Sequence, residues 1–256
     1  HVLDRSRGVL VHSRFAASRL EVAAEVPVRV MPHHVPAAAT AASEELDQAA
    51  ARARLGLPGC DEPLLLSLGF VTRAKGLDVA LRALARLKAE RVPCRLVVAG
   101  AEDGSLDLAH SAEQAGVGDR VQVLGWVPEA DFFALLRAAD LLLLLRPPSS
   151  GESSGVLARA LGAGLVALSY DIGPAAEYPD RFVEKVAFGA DAAGGVAEAI
   201  KRLLSCRADL RARGAAARAA LCRDHAPGAS AERILAAVRE WKSDGMLHTS
   251  DTAKGL

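Results

Sequence analysis

Two segments of the chain place cations and glycines where a phosphate could be held. In Gly69-Phe-Val-Thr-Arg-Ala-Lys75-Gly76 an apolar run gives way to a helical one. Backbone amides at the coming helix start and the mobile ammonium of Lys75 could therefore meet the same anion. Gly76 permits tight backbone geometry just before that helix. The same residues also read as a surface loop in which Arg73 and Lys75 are merely solvated. In Arg146-Pro-Pro-Ser-Ser-Gly-Glu152-Ser153-Ser154-Gly155-Val156 five leucines end in an arginine, and small residues then open a second helix. Glu152 is the one carboxylate of that segment. It could accept hydrogen bonds from sugar hydroxyls, or it could complement the helix dipole as an N-terminal acid. Two anion-friendly helix starts flanking a carboxylate point to a ligand that carries both phosphates and hydroxyls.

The elements that must position these segments alternate regularly. Apolar runs at 64–70, 95–99, 121–124, 141–145 and 165–169 read as strands. Between them, stretches at 77–90, 106–116, 129–139 and 154–162 have helical period; Leu77, Leu81, Leu84 and Leu87 recur at three- and four-residue spacing. Nearly continuous apolar strands separated by helices mean a doubly wound parallel α/β sheet covered on both faces. Upstream, a strand at 8–12, a helix at 13–22 capped by Ser13 and a strand at 28–31 precede a loop rich in Ala, Pro and Thr that reads as a hinge. Ser43 then caps a further helix with Glu44 and Glu45 in its first turn. Helices near 192–204, 206–223 and 230–242 finish the fold, and the polar tail from 243 to 256 reads as disordered. Ligands of such sheets bind at the carboxyl ends of the strands, near a topological switch point. The loops that begin at Gly69, Gly100, Gly125, Arg146 and Ser169 are therefore the ones to inspect.

Composition removes other functions. The 256 residues carry 31 basic and 31 acidic side chains, so the balance lacks the electrostatic footprint of a nucleic-acid binder. With 51% hydrophobic and 24% charged residues, a chain of this length buries a core without disulfides or metals. No apolar run reaches the roughly 18 residues of a membrane span. Cys60, Cys94, Cys206 and Cys222 form no CxxC pair and have no histidine at metal-ligand spacing, which suits free thiols in a reducing, cytoplasmic compartment. The lack of Asn and the excess of Arg over Lys fit the codon bias of a GC-rich bacterial genome. The chain starts at His1 rather than Met and reads as a fragment.

From about Gly8 to Pro179 the chain resembles the C-terminal half of glycosyltransferase family 4, retaining transferases of GT-B fold. The matching pieces come in order: Val11-His-Ser-Arg-Phe, the hinge Val30-Met-Pro-His-His-Val35, the loop Leu68 to Gly76, Leu96-Val-Val-Ala-Gly100, Gly125-Trp-Val127, Arg137-Ala-Ala-Asp140, the Glu152 loop, Leu161-Gly-Ala-Gly164 and Gly173 to Asp180. The resemblance implies that Thr72, Arg73, Lys75 and Arg146 lie at a nucleotide diphosphate and that Glu152 meets the donor sugar. It implies further that amides around Ser153, Ser154, Gly155 and Val156 bind phosphate oxygens, and that Trp126 and Val127 line the base pocket. Glu152, Lys75 and Arg146 would be the catalytic set. Lys75, an arginine and helix amides would stabilise the leaving charge, so neither a metal nor a cofactor is required; the nucleotide-diphosphate sugar is the donor substrate.

The pattern departs from the family at three places. Phe70 stands where the family usually has Arg, and Arg73 or Arg146 could supply that charge. Ala160 replaces the Glu that usually holds the ribose, and His33-His34 replaces Asn-Gly in the hinge, with His34 expected to face the cleft. By the same resemblance, residues 1–36 are the end of an N-terminal acceptor domain with its hinge, 37–228 the donor domain, and 229–256 a C-terminal helix and flexible tail. A sugar, lipid-linked or small-molecule acceptor would bind the missing domain, and any peripheral membrane contact would be made through that domain too. Two other readings stay open: a non-catalytic nucleotide-sugar binding or interaction module, and a sugar-nucleotide epimerase using the paired histidines. A dinucleotide-dependent dehydrogenase lacks its GxGxxG after a strand.

Overall fold

A computed structural model describes residues 3–21, 26–37, 46–147 and 153–251, the side chains at 4, 21 and 243–251 aside. Six parallel strands form the main sheet: β3 (Leu64–Leu68), β4 (Arg95–Ala99), β5 (Val121–Gly125), β6 (Leu141–Leu144), β7 (Ala167–Tyr170) and β8 (Val183–Val186). Their order across the sheet is β5-β4-β3-β6-β7-β8, as expected of a doubly wound α/β fold. Leu65 pairs with Leu96 on one side and with Leu141 on the other.

Both faces of the sheet are dry, which explains the unbroken leucines. Leu65, Leu141, Leu143 and Leu145 join one apolar cluster, whereas Leu64, Leu66, Leu68, Leu142 and Leu144 join a second. A strand whose alternate residues enter two cores has no polar face. The first core is closed by α3 (Leu77–Ala89), with its four spaced leucines, and by Val196 and Ile200 of α7 (Ala192–Leu204). Leu135 and Leu136 of α5 (Glu129–Ala138), Leu157 and Leu161 of α6 (Gly155–Gly162), and Ala217 and Leu221 of α8 (Arg207–Asp224) close the second.

Ahead of the main sheet, β1 (Val9–Val11) pairs in parallel with β2 (Val28–Val30), joined through α1 (Arg14–Glu21). The Ser13 hydroxyl accepts from the Ala16 amide at 3.1 Å, the cap expected from the sequence. The last helix, α9 (Pro227–Asp251), returns to this segment: Trp241 packs on Gly8, where any Cβ would overlap the indole, and Glu240 pairs with Arg29.

The structure corrects the sequence reading in several places. Strand β8 was not foreseen, because Val183-Glu-Lys-Val186 is half polar; as an edge strand it buries its two valines and leaves the charged pair partly exposed. The strand expected at 165–169 is Ala167–Tyr170, and the helix expected at 106–116 is the shorter α4 (Leu108–Gln114), capped by Asp107. Helix α9 runs on to Asp251, through most of the tail expected to be disordered. The cap at Ser43 lies outside the described residues; the helix observed there, α2 (Gln48–Arg54), is capped by Asp47, which accepts from the Ala50 amide at 2.7 Å.

Candidate functional site

The strand order reverses between β3 and β6: from β3 the chain winds outward through β4 and β5, and from β6 through β7 and β8 in the opposite direction. Helices that follow two such strands lie on opposite faces, so their loops part and leave a crevice at the carboxyl edge. Of the two segments singled out in the sequence, 69–76 and the described ends of the second, 146–147 and 153–156, border that crevice. Gly76 has φ +65°, and its Cα lies against the Leu145 carbonyl so closely that a Cβ would overlap it. This close approach brings Lys75, one residue earlier, near Arg146, one residue after Leu145.

Lys75 is largely buried, and its Nζ donates to the Leu68 carbonyl at 3.0 Å. Burial and, after it, the Arg146 guanidinium push its ammonium down to about 8. Like charges at this distance disfavour each other's charged form, which is the Arg146 contribution to the lowering at Lys75. Ser154 caps α6, its hydroxyl accepting from the Leu157 amide at 3.2 Å, and Ser153 Oγ is shielded with no hydrogen-bond partner among the described residues. Arg146, Ser153 and Ser154 line a cavity of about 820 Å³ whose far wall comes from α1 and the hinge, including His12, Ser13, Arg14 and Phe15.

The remaining sequence candidates fall elsewhere along the edge. Thr72 is half-buried and Arg73 exposed in a 3-10 turn, neither of them on the cavity wall. Trp126 is 74% exposed beyond β5, and Val127 packs partly against the second core. Gly155 and Val156 form the first turn of α6. Glu152 lies outside the described residues. Phe70, in the place where the resemblance led to an arginine, is 67% exposed. Ala160 is fully buried in the second core.

The histidines differ from expectation. His34, expected to face the cleft, is exposed and stacks on His33 with ring centres 5.2 Å apart; neither lines the cavity. His12 and His225 do. His12 Nδ1 lies 2.8 Å from the Met31 carbonyl, His33 Nδ1 3.0 Å from that of His34, and His225 Nδ1 2.9 Å from that of His33. A carbonyl can only accept, so each Nδ1 carries a proton; for His33 and His225, whose burial favours the neutral ring, the lone pair then lies on Nε2. His225, at the end of α8, thereby ties the segment after β2 to the main-sheet unit, and the Val35 amide donates back to the His225 carbonyl at 2.8 Å.

Glu177 was quoted in the sequence only as part of a motif. In the structure it accepts from the Phe15 amide at 2.7 Å and the Arg14 amide at 3.0 Å, clasping the first turn of α1. A carboxylate on two orphan helix amides joins the β1–β2 segment to the main sheet across the cavity. No local signal marks this role, since the partners are more than 160 residues apart. Among the described residues no group of three or more His, Cys, Asp or Glu could hold a metal ion, and no helix is long and apolar enough to cross a membrane.

The chain is similar in sequence and fold to known proteins. The family model described as "Glycosyl transferases group 1" matches residues 48–220. The D-inositol 3-phosphate glycosyltransferases of Mycobacterium tuberculosis and Mycobacterium bovis are 37% identical over 129 residues, which is 47% of this chain and 25% of theirs. The chain thus spans about a quarter of the length of these relatives. A sucrose-phosphate synthase from Thermosynechococcus elongatus superposes with a TM-score of 0.78 at 22% identity, covering 95% of this chain and 60% of that one. The Anabaena protein HepE, solved with UDP and glucose, superposes at 0.76 and 15% identity over 92% of this chain and 64% of its own.

Proposed function

The chain belongs to the glycosyl transferases group 1 family, and from that premise we propose that it is the donor-binding part of an enzyme that transfers a hexose from a nucleotide-diphosphate sugar to an acceptor hydroxyl. One observation supports this reading: Lys75, with its ammonium lowered to about 8 by burial and Arg146, lies at the switch-point crevice. A polyanion there would favour the charged form of Lys75, and the start of α6 can add amide donors to such a ligand.

Within this reading the diphosphate spans Lys75, Arg146 and the amides of Ser154, Gly155 and Val156. Thr72 and Arg73 lie along its outer side. Trp126 offers an exposed aromatic face to the base. Glu152 accepts hydrogen bonds from the sugar hydroxyls. Transfer proceeds with retention, as in the family the sequence resembles: the acceptor oxygen attacks the anomeric carbon from the face that the diphosphate leaves, the bond from that carbon to the phosphate oxygen breaks, and the departing phosphate takes the acceptor's proton. Lys75 and Arg146 stabilise the charge that develops on the leaving oxygen, so the step needs no metal ion. The acceptor approaches through the cavity between α1 and α6, with the domain that precedes β1 completing its site.

The reading is tested by thermal shift with UDP-, GDP- and ADP-glucose, because a ligand bound to the folded state raises the apparent melting temperature. At least one should raise it; no shift with any nucleotide sugar or free nucleoside diphosphate removes the proposal. Calorimetry on Glu152→Gln sharpens it. Free nucleotide should bind as before and the intact sugar donor more weakly, whereas equal losses for the two contradict the sugar-facing role.

A further inference from the structure

His33 lies apart from the residues that the sequence places at the phosphates, yet its ring sits against the same helix start. A Cβ built on Gly155 would come within 3.0 Å of both His33 Nε2 and Arg159 Nη1. The hydrogen-only side chain of Gly155 is thus what lets an imidazole and a guanidinium close on the first residue of α6. Because His33 Nδ1 donates to the His34 carbonyl, the atom turned toward α6 is the basic one, Nε2. At the residue before the Ser154 cap of the same helix, the shielded Ser153 hydroxyl has no partner among the described residues.

The geometry points to His33 as a further ligand of the donor diphosphate, one that takes up a proton from solvent as the phosphate arrives. The inference rests on the diphosphate reading of the α6 start. Among the described residues the groups facing His33 are His12 at the end of β1, with ring centres 5.0 Å apart, His34 in the hinge, Arg159 on α6 and His225 at the end of α8, whose ring holds the His33 carbonyl. Burial is the largest effect and holds the imidazole below its ordinary value; the hydrogen bond to the His34 carbonyl opposes it, and lesser repulsions from His12, His34 and Arg159 add to the lowering. Without an anion the ring is therefore neutral near pH 7, and its Nε2 lone pair can offer a phosphate oxygen nothing. A phosphate at α6 reverses the balance: it adds negative charge beside Nε2, and the protonated ring becomes a charge-assisted donor. Lys75 would also gain protons on binding, but only nearer to pH 8, where its own ammonium titrates.

Calorimetry in buffers of different ionisation enthalpy reads the proton directly. The probe is whichever of UDP-, GDP- and ADP-glucose binds, since its diphosphate has no group that titrates near neutrality. At about pH 7 the wild-type chain should take up protons on binding, His33→Gln should take up far fewer, and its affinity should fall about fivefold, a typical loss for one charge-assisted hydrogen bond. Lowering the solution to about pH 6 should tighten wild-type binding but not that of His33→Gln. Binding with no proton uptake, or with equal uptake in the variant, overturns the role of His33 and leaves the diphosphate reading intact. Failure of every nucleotide sugar to bind overturns both. Matching melting temperatures of the two proteins without ligand separate a binding role from a folding one.

Discussion

Arginines meet a strand edge at both ends of the main sheet, with opposite consequences. At the amino edge, Asp140 precedes β6 and its carboxylate accepts from Arg52 at 2.7 Å, from Arg207 at 2.6 Å and from the Leu64 amide at 2.8 Å. Arg52 is 1% exposed and spends its other donors on the carbonyls of Ala138, Pro58, Gly59 and Glu62. Every charge there has a fixed partner of opposite sign or a carbonyl, which is how a buried ion pair becomes tolerable. At the carboxyl edge, Lys75 stands beside Arg146 and His33 beside Arg159, and each titratable member is pushed toward its neutral form by burial and by cations nearby. The amino-edge cluster is balanced in sign and holds the fold together, whereas the carboxyl edge brings cations side by side.

That contrast can be broken from either end. The largest effect should come from Asp140→Ala, which leaves the buried Arg52 guanidinium unpaired and should cost about 3–5 kcal/mol of stability in urea unfolding. Lys75→Ala should do the reverse, weakening nucleoside-diphosphate binding at least tenfold, or about 1.4 kcal/mol, with little loss of stability. A calorimetric affinity equal to wild type would take Lys75 out of the site. Gly155→Ala should push His33 and Arg159 away from α6 at a cost of about 1 kcal/mol in melting experiments, and weaken nucleotide binding by a similar amount. Glu177→Gln, which removes the charge from both amides of α1 and leaves one of them facing an NH2 donor, should cost about 0.5–1 kcal/mol, read as faster hydrogen exchange at Arg14 and Phe15.

A pH slope tests the carboxyl edge without any ligand. Lys75 titrates at about 8 in the folded chain against an ordinary 10.5, so between those values the unfolded chain binds the extra proton. Stability should therefore rise with pH across that window relative to Lys75→Met, which has no such proton to lose. Parallel stability–pH profiles for the two proteins would mean that Lys75 is solvated after all.

Much of the scaffold was legible from period alone. The leucines of β3 and β6 read as strands buried on both faces, and Leu77, Leu81, Leu84 and Leu87 read as one helical stripe, because burial on a face imposes a spacing that survives in one dimension. Edge strand β8 did not survive, since a strand with one unpaired edge tolerates Glu184 and Lys185. Those side chains find Arg202, Arg213 and Asp180 as partners only in three dimensions.

The sequence by itself determined the parallel α/β architecture, the family, and the two segments that border the crevice, because each rests on local pattern and residue type. Only the tertiary structure decided which charges come to lie beside one another. Arg52 and Arg207 look no different in sequence from Arg146 and Arg159, yet the strand order carries the first two to Asp140 and the second two to Lys75 and His33. Electrostatic partnership depends on distance and burial, and both are set by how strands far apart in the chain come to lie side by side.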